Sequence, residues 1–112
     1  MINKVILLGR LCADPEVRAN AEGIHVARLR VATNRYGPRE EGGSRSEFSE
    51  YHNVVLFGRR ADQAGNRLRR GRLIYAEGRL QHRSWLGRDG RLRSVSEVVV
   101  ENLEQLGESR VG

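Results

Sequence analysis

Apolar and polar residues alternate along most of this chain, a pattern typical of strands with one face on a core and one on solvent. The first such segment, Lys4–Leu11, is rich in Val, Ile and Leu and is predicted to be a buried strand. It ends before Asp14-Pro15, and a loop is predicted to follow as far as Gly23. Ile24–Tyr36 is the second predicted strand, and the changed parity of its apolar positions predicts a bulge near Val26-Ala27.

The middle of the chain predicts a hairpin and then a short helix. Residues Gly37–Ser44 have the composition of a flexible hairpin loop, and Phe48–Phe57 is the third predicted strand. After this strand the periodicity changes. Arg60–Leu68 contains helix formers with apolar residues at helical spacing, and the predicted helix stops before Gly71.

Two further strands complete the predicted fold. Arg72–Trp85 and Arg91–Val100 flank a turn centred on Asp89-Gly90. Three strands, a short helix and two strands are the order of an all-β, five-stranded Greek-key OB-fold barrel, with the helix between strands 3 and 4. One domain is predicted over residues 1–106, followed by a short frayed C-terminus at residues 107–112.

Charge and cysteine content narrow the functional classes. The 112 residues carry a net charge of +6, and residues 59–93 hold eleven Arg against three acidic residues. Such a basic stretch favours a polyanionic partner. The single Cys12 excludes a disulfide within the chain and a cysteine-based metal site, and we expect neither a metal nor a cofactor. No apolar run reaches the roughly 18–20 residues of a membrane span, so a cytoplasmic protein is expected.

Aromatic residues are few, 5% of the chain, so their positions are informative. Tyr51 and Phe57 have the same parity and share one face of their predicted strand. Trp85 ends another predicted strand, after Arg79 and Arg83. Rings stack on unpaired bases of any identity and guanidinium groups neutralise phosphates, so this pattern favours a surface for single-stranded nucleic acid. Core aromatics of an ordinary barrel would give the same pattern, and both interpretations stay open on pattern alone.

Four short segments occur in a fixed order along the chain. They are Asn3–Leu11, Asp14–Arg18, Glu50–Gly58, and Tyr75–Leu80 leading to Trp85. As an ordered set they resemble the bacterial single-stranded DNA-binding protein family (SSB). The resemblance implies an OB-fold that binds and protects single-stranded DNA without sequence preference in replication, recombination and repair. It also implies a homotetramer as the usual assembly and a cytoplasmic, nucleoid-associated location.

The resemblance also assigns site residues. It places the stacking aromatics on Tyr51, Phe57 and Trp85, and Tyr36 stands near the position of a further family tryptophan. Asn53 occupies a position where the family has Arg, which weakens one expected phosphate contact, while Arg59 and Arg83 match basic positions of the family. On the ground of charge, six arginines are expected to track the phosphate backbone: Arg28, Arg30, Arg59, Arg79, Arg83 and Arg88.

The sequence departs from the family at its C-terminal end. Family members usually carry a Gly/Pro/Gln-rich linker and an acidic tip that recruits protein partners, whereas this sequence stops at Gly112 without them. We therefore expect either a tail-less member or an isolated domain, and partner recruitment through a tip is not supported.

Two alternatives belong to other functional classes. One is an OB-fold adaptor of the primosomal type, which binds partner proteins first and nucleic acid weakly. The other is an enzyme, which is not expected because the chain has no nucleophile elbow, phosphate loop or metal-binding pattern. The choice between DNA and RNA stays open, since stacking does not test the sugar.

Overall fold

The computed structural model describes residues 1–107, and these fold into six strands and one helix. Of the predicted frayed C-terminus, only Gly107 lies within the described residues. The helix α1 (Arg59–Arg67) lies between the fourth and fifth strands. The strands are β1 (Val5–Leu11), β2 (Glu16–Ala19), β3 (His25–Arg39), β4 (Arg45–Phe57), β5 (Leu73–Leu86) and β6 (Leu92–Leu106).

Five of these strands close into a barrel. Their order is β1-β5-β6-β4-β3, and β1 pairs again with β3 at Arg10 and Leu11, which removes the open edges of the sheet. The β4–β6 pairing is parallel and runs only through Val54 and Val55, while the other pairings are antiparallel. The predicted OB-fold is confirmed, with its helix between the third and fourth strands of the barrel, β4 and β5.

The interior is filled by alternate residues of the strands, because successive side chains point to opposite faces. In β3, Leu29 and Val31 point inward, and in β4 Val54 and Leu56 do the same. The helix and the residue after it close one end of the barrel. The buried side chains of that end are Ala61, Ala64 and Leu68.

The first two strands differ from their predictions. β1 was expected to be buried, but only one of its faces is: Leu7 is buried, whereas Ile6 and Leu8 are exposed. The segment expected to be a loop contains β2, which pairs with β3 along Glu16–Ala19. All four residues of β2 are exposed. Its alternation of polar and apolar residues covers only these four positions, which is too short to predict a strand.

The bulge predicted near Val26-Ala27 is wrong. β3 runs in unbroken register with β4 from Val26 to Tyr36, and the apolar parity changes because Val26 is buried on the outer side of the barrel. A register shift lies instead between Glu77 and Gly78, where β5 pairs with β6. A Cβ at Gly78 would collide with the carbonyl oxygen of Val99, so the close approach of the two strands requires glycine there.

Candidate nucleic-acid interface

The outward residues of β3, β4 and β5 place most of the predicted site on one side of the barrel. In the β3–β4 register Arg28 faces Val55 and Arg30 faces Asn53, while the residues between them point into the core. The strand β6 lies between β4 and β5 and completes the surface. We call it the aromatic–arginine face, defined by Arg28, Arg30, Tyr36, Tyr51, Phe57, Arg79, Arg83 and Trp85.

The aromatic side chains of this face are surface residues. Tyr36 is 61% exposed, Tyr51 55%, and Phe57 and Trp85 each 43%. Leu56, the neighbour of Phe57 in the chain, is only 2% exposed because it points inward. The alternative that these rings form the core of an ordinary barrel is therefore wrong.

Two of the rings lie beside a guanidinium group. The Arg30 guanidinium carbon is 5.2 Å from the centroid of the Tyr51 ring, and that of Arg83 is 5.2 Å from the Trp85 ring. Arg30 also donates a 3.3 Å hydrogen bond to Oδ1 of Asn53. Asn53 therefore supplies an acceptor that orients Arg30 next to Tyr51.

The remaining predicted arginines divide into two groups. Arg79 is on the aromatic–arginine face, where its guanidinium is 3.5 Å from the side-chain oxygen of Gln81. Arg59 and Arg88 are exposed but do not lie on the strands of this face. Arg59 begins α1, directly after a turn at Gly58 with φ of +65°, and Arg88 lies in the β5–β6 turn. The structure therefore brings Arg79 to the rings and leaves Arg59 and Arg88 beyond the strand surface.

An acidic residue that sequence reasoning missed lies under the arginines of the face. Glu97 on β6 is 3% exposed and is the one buried charged side chain among residues 1–107. Nε of Arg83 donates to Oε1 of Glu97 at 2.5 Å, Nε2 of Gln81 donates to the same oxygen at 3.1 Å, and Nη1 of Arg28 lies 3.5 Å from Oε2. Since Arg28 is on β3 and Glu97 on β6, the Arg28 side chain passes over β4 to reach it. Two predicted phosphate contacts are thus already ion-paired.

A second polar cluster joins the start of β1 to β5, outside the aromatic–arginine face. The Lys4 ammonium is 2.9 Å from a carboxylate oxygen of Glu77, and the Tyr75 hydroxyl donates to the other oxygen at 2.7 Å. These hydrogen bonds, first that of Lys4, lower the pKa of Glu77 below its usual value. The same bonds to Glu77 raise the pKa of Lys4 and the pKa of Tyr75.

Neither a metal centre nor a membrane-spanning helix is found among the described residues. No group of three or more His, Cys, Asp or Glu side chains in residues 1–107 is arranged to hold a metal ion. No helix in the same range is long and apolar enough to cross a membrane.

A closed five-stranded barrel with one helix between its third and fourth strands defines an OB-fold protein. A family model described as the single-strand binding protein family matches residues 2–106. The chain therefore belongs to the single-strand binding protein family, and the resemblance in the sequence is confirmed. Members of this family are non-enzymatic DNA-binding proteins.

Individual relatives agree with this family. The chain is 41% identical over 106 residues to the single-stranded DNA-binding proteins of two Neisseria meningitidis strains, of serogroups A and B. These matches cover 95% of this chain, which spans only 60% of the length of those relatives.

Two solved structures are similar to this one. A deletion mutant of the single-stranded DNA binding protein from Thermus aquaticus gives a TM-score of 0.79 at 37% identity, covering 97% of this chain and 52% of that one. The SSB of Plasmodium falciparum gives a TM-score of 0.83, covering 96% of this chain and 97% of that one. At 24% identity, this second likeness supports the fold alone.

Proposed function

We propose that this chain binds single-stranded DNA without reading its sequence, by stacking bases on aromatic rings while arginines neutralise phosphates. The observation that carries the proposal is the aromatic–arginine face, on which Tyr51, Phe57 and Trp85 are half-exposed beside Arg30 and Arg79. Each stacked base is expected to contribute about 1–3 kcal/mol, whatever its identity. Tyr36 extends the row of rings along the β3–β4 hairpin and is proposed as a further stacking residue.

Relatives support the same function. The two Neisseria relatives are named single-stranded DNA-binding proteins. On this ground we also propose a role in replication, recombination and repair, and a cytoplasmic, nucleoid-associated location.

The arginines are proposed to share the phosphate contacts unequally. Within residues 1–107, four of the six predicted arginines have no carboxylate within ion-pairing distance, whereas Arg28 and Arg83 are paired with Glu97. Four neutralised phosphates predict a slope of log K against log salt of roughly −3 on single strands. The four arginines concerned are Arg30, Arg59, Arg79 and Arg88.

The test is equilibrium binding of a fluorescently labelled thymidine oligomer, beside a matched duplex and a uridine oligomer, across a range of salt concentrations. Tight binding of the single strand and much weaker binding of the duplex are expected, because paired bases cannot reach the rings. Affinity should fall about 60-fold between 50 and 200 mM salt. A slope near zero, or equal affinity for the duplex, would contradict the proposal. No binding to any strand would leave the adaptor function as the better explanation.

Assembly into a homotetramer is part of the proposal. Ile6 and Leu8 are 56% and 57% exposed on the outer side of β1, and exposed apolar side chains of this kind mark surfaces for self-association. Light scattering that gives the mass of a single chain at micromolar concentration would contradict this assembly.

A further inference from the structure

Glu97 is an unusual residue for the middle of a surface that is proposed to bind a polyanion. Its carboxylate is 3% exposed and accepts hydrogen bonds from Arg83 and Gln81. A buried carboxylate without partners would be costly, and these donors compensate for the burial. Packing in the barrel core does not explain why the Glu97 side chain is buried, because its chain neighbour Val98 is the residue that points into the core.

The bonds to Glu97 fix how Arg83 is presented. Two nitrogens on one edge of its guanidinium, Nε and Nη2, face the two oxygens of Glu97 at 2.5 and 3.5 Å. The same guanidinium lies beside the Trp85 ring, with 5.2 Å between its carbon and the ring centroid. Arg83 is therefore held as a flat neighbour of the indole, and part of its hydrogen-bonding capacity is already used.

We propose that Glu97 is a positioning residue that shifts DNA binding from phosphate contacts toward base stacking. It holds Arg83 beside Trp85 as part of the stacking surface, and it withholds the charges of Arg83 and Arg28 from the phosphates. A duplex offers this face only phosphates, so Glu97 also disfavours duplex binding. This inference rests on the proposed function, since it concerns the same face and the same ligand.

The direct test is the E97Q variant, which keeps the shape of the side chain and removes its charge. With Arg28 and Arg83 released to phosphates, the salt slope on a thymidine oligomer should become steeper by about 1 to 1.5. The variant should bind more tightly than wild type at low salt. At high salt the variant should bind less tightly than wild type, because Trp85 has lost its ordered neighbour. The two plots of log K against log salt should therefore cross. Duplex affinity should rise about tenfold at 0.1 M salt.

A matched control removes the same charge elsewhere. Glu50 is also paired with an arginine, Arg35 at 3.0 Å, but it points to the opposite side of β4 from Tyr51. E50Q should leave the slope close to that of wild type. If E97Q gives a plot parallel to that of wild type, or the same change as E50Q, the proposal is wrong and Glu97 has a structural role only.

Two arginine variants test the proposal without changing Glu97, in case E97Q fails to fold. Arg79 and Arg83 lie on the same strand and the same face, but among residues 1–107 only Arg83 is bonded to a carboxylate. R79M should make the salt slope shallower by about 0.7, whereas R83M should change it by less than half of that. Equal losses of slope would overturn the proposal. Failure of wild type to bind single strands would instead overturn the function, so the two failures are distinguishable.

Discussion

Parity along each strand sets the side of the barrel on which a residue lies. Leu56 and Phe57 are adjacent and both apolar, yet the first is 2% and the second 43% exposed. The same rule separates the two aromatics of the β3–β4 hairpin. Tyr36 has the parity of Arg28 and Arg30 on β3, whereas Phe48 has the parity of the inward Leu56 on β4. Phe48 is 44% exposed because the hairpin projects beyond the core, and it lies beside Arg35 at 4.9 Å.

This difference in side predicts opposite outcomes for two similar substitutions. Y36A removes a ring from the aromatic–arginine face and should weaken binding of a thymidine oligomer by about 1 kcal/mol, roughly fivefold. F48A removes a ring from the other side of the hairpin and should leave the affinity nearly unchanged. Both side chains are exposed, so the free energy of unfolding should change by no more than about 0.5 kcal/mol in either variant. Titrations of the two variants in parallel check this, and an equal loss of affinity would show that the hairpin contacts DNA without a preferred side.

At the level of elements, the cluster of Lys4, Glu77 and Tyr75 ties the start of β1 to β5. Folding lowers the pKa of Glu77, so its contribution to stability is present above the unfolded-state pKa and is lost as the pH falls through the folded-state pKa. Folding raises the pKa of Lys4 and that of Tyr75. Their contribution is present below the unfolded-state pKa values and is lost as the pH rises through the folded-state values.

The E77Q variant should therefore differ most from wild type near neutral pH. Its melting temperature should be lower there, and the difference should shrink in acid below the ordinary glutamate pKa of about 4.3. It should also shrink in base, above the ordinary tyrosine pKa of about 10. Thermal unfolding across the pH range measures this, with E47Q as a control for loss of an exposed carboxylate. A difference that stays constant with pH would show that these ion pairs do not contribute.

The elements that could be predicted from sequence are those with a strong periodic signal. The five barrel strands and α1 were found because apolar residues recur at strand or helix spacing over many residues. The strand β2 was missed because its stability comes from pairing with β3 and not from burial. The register shift at Gly78 was missed for a related reason, since it depends on the position of Val99 on another strand.

At the scale of the whole molecule, the basic stretch in the sequence does not become one basic surface. Arg69 donates to the carbonyl oxygens of Gly65 and Leu68 at the end of α1, and Arg93 pairs with Asp89 at 3.1 Å. These arginines stabilise a helix end and a hairpin. The count of eleven arginines in residues 59–93 therefore overstates the number that are free to contact a ligand.

The common face of the candidate site could be predicted from the sequence, but the ion pairs between its strands could not. Spacing within one strand placed Tyr51 and Phe57 on a common face, and the position of Trp85 after Arg79 and Arg83, together with the family resemblance, indicated Trp85. The carboxylate that pairs with Arg28 and Arg83 could not be found in this way. Glu97 on β6 contacts the neighbouring strand β5 and also β3, which is distant in sequence, and the local pattern around it is that of any half-exposed strand.

The central claim, that bases stack on this face, is tested most directly by the fluorescence of Trp85, the single tryptophan of the chain. We would titrate the protein with a thymidine oligomer and with a matched duplex. Strong quenching by the single strand, little by the duplex, and a weaker response at higher salt are the predicted results. Unchanged Trp85 fluorescence, in a sample whose labelled oligomer is demonstrably bound, would contradict the account.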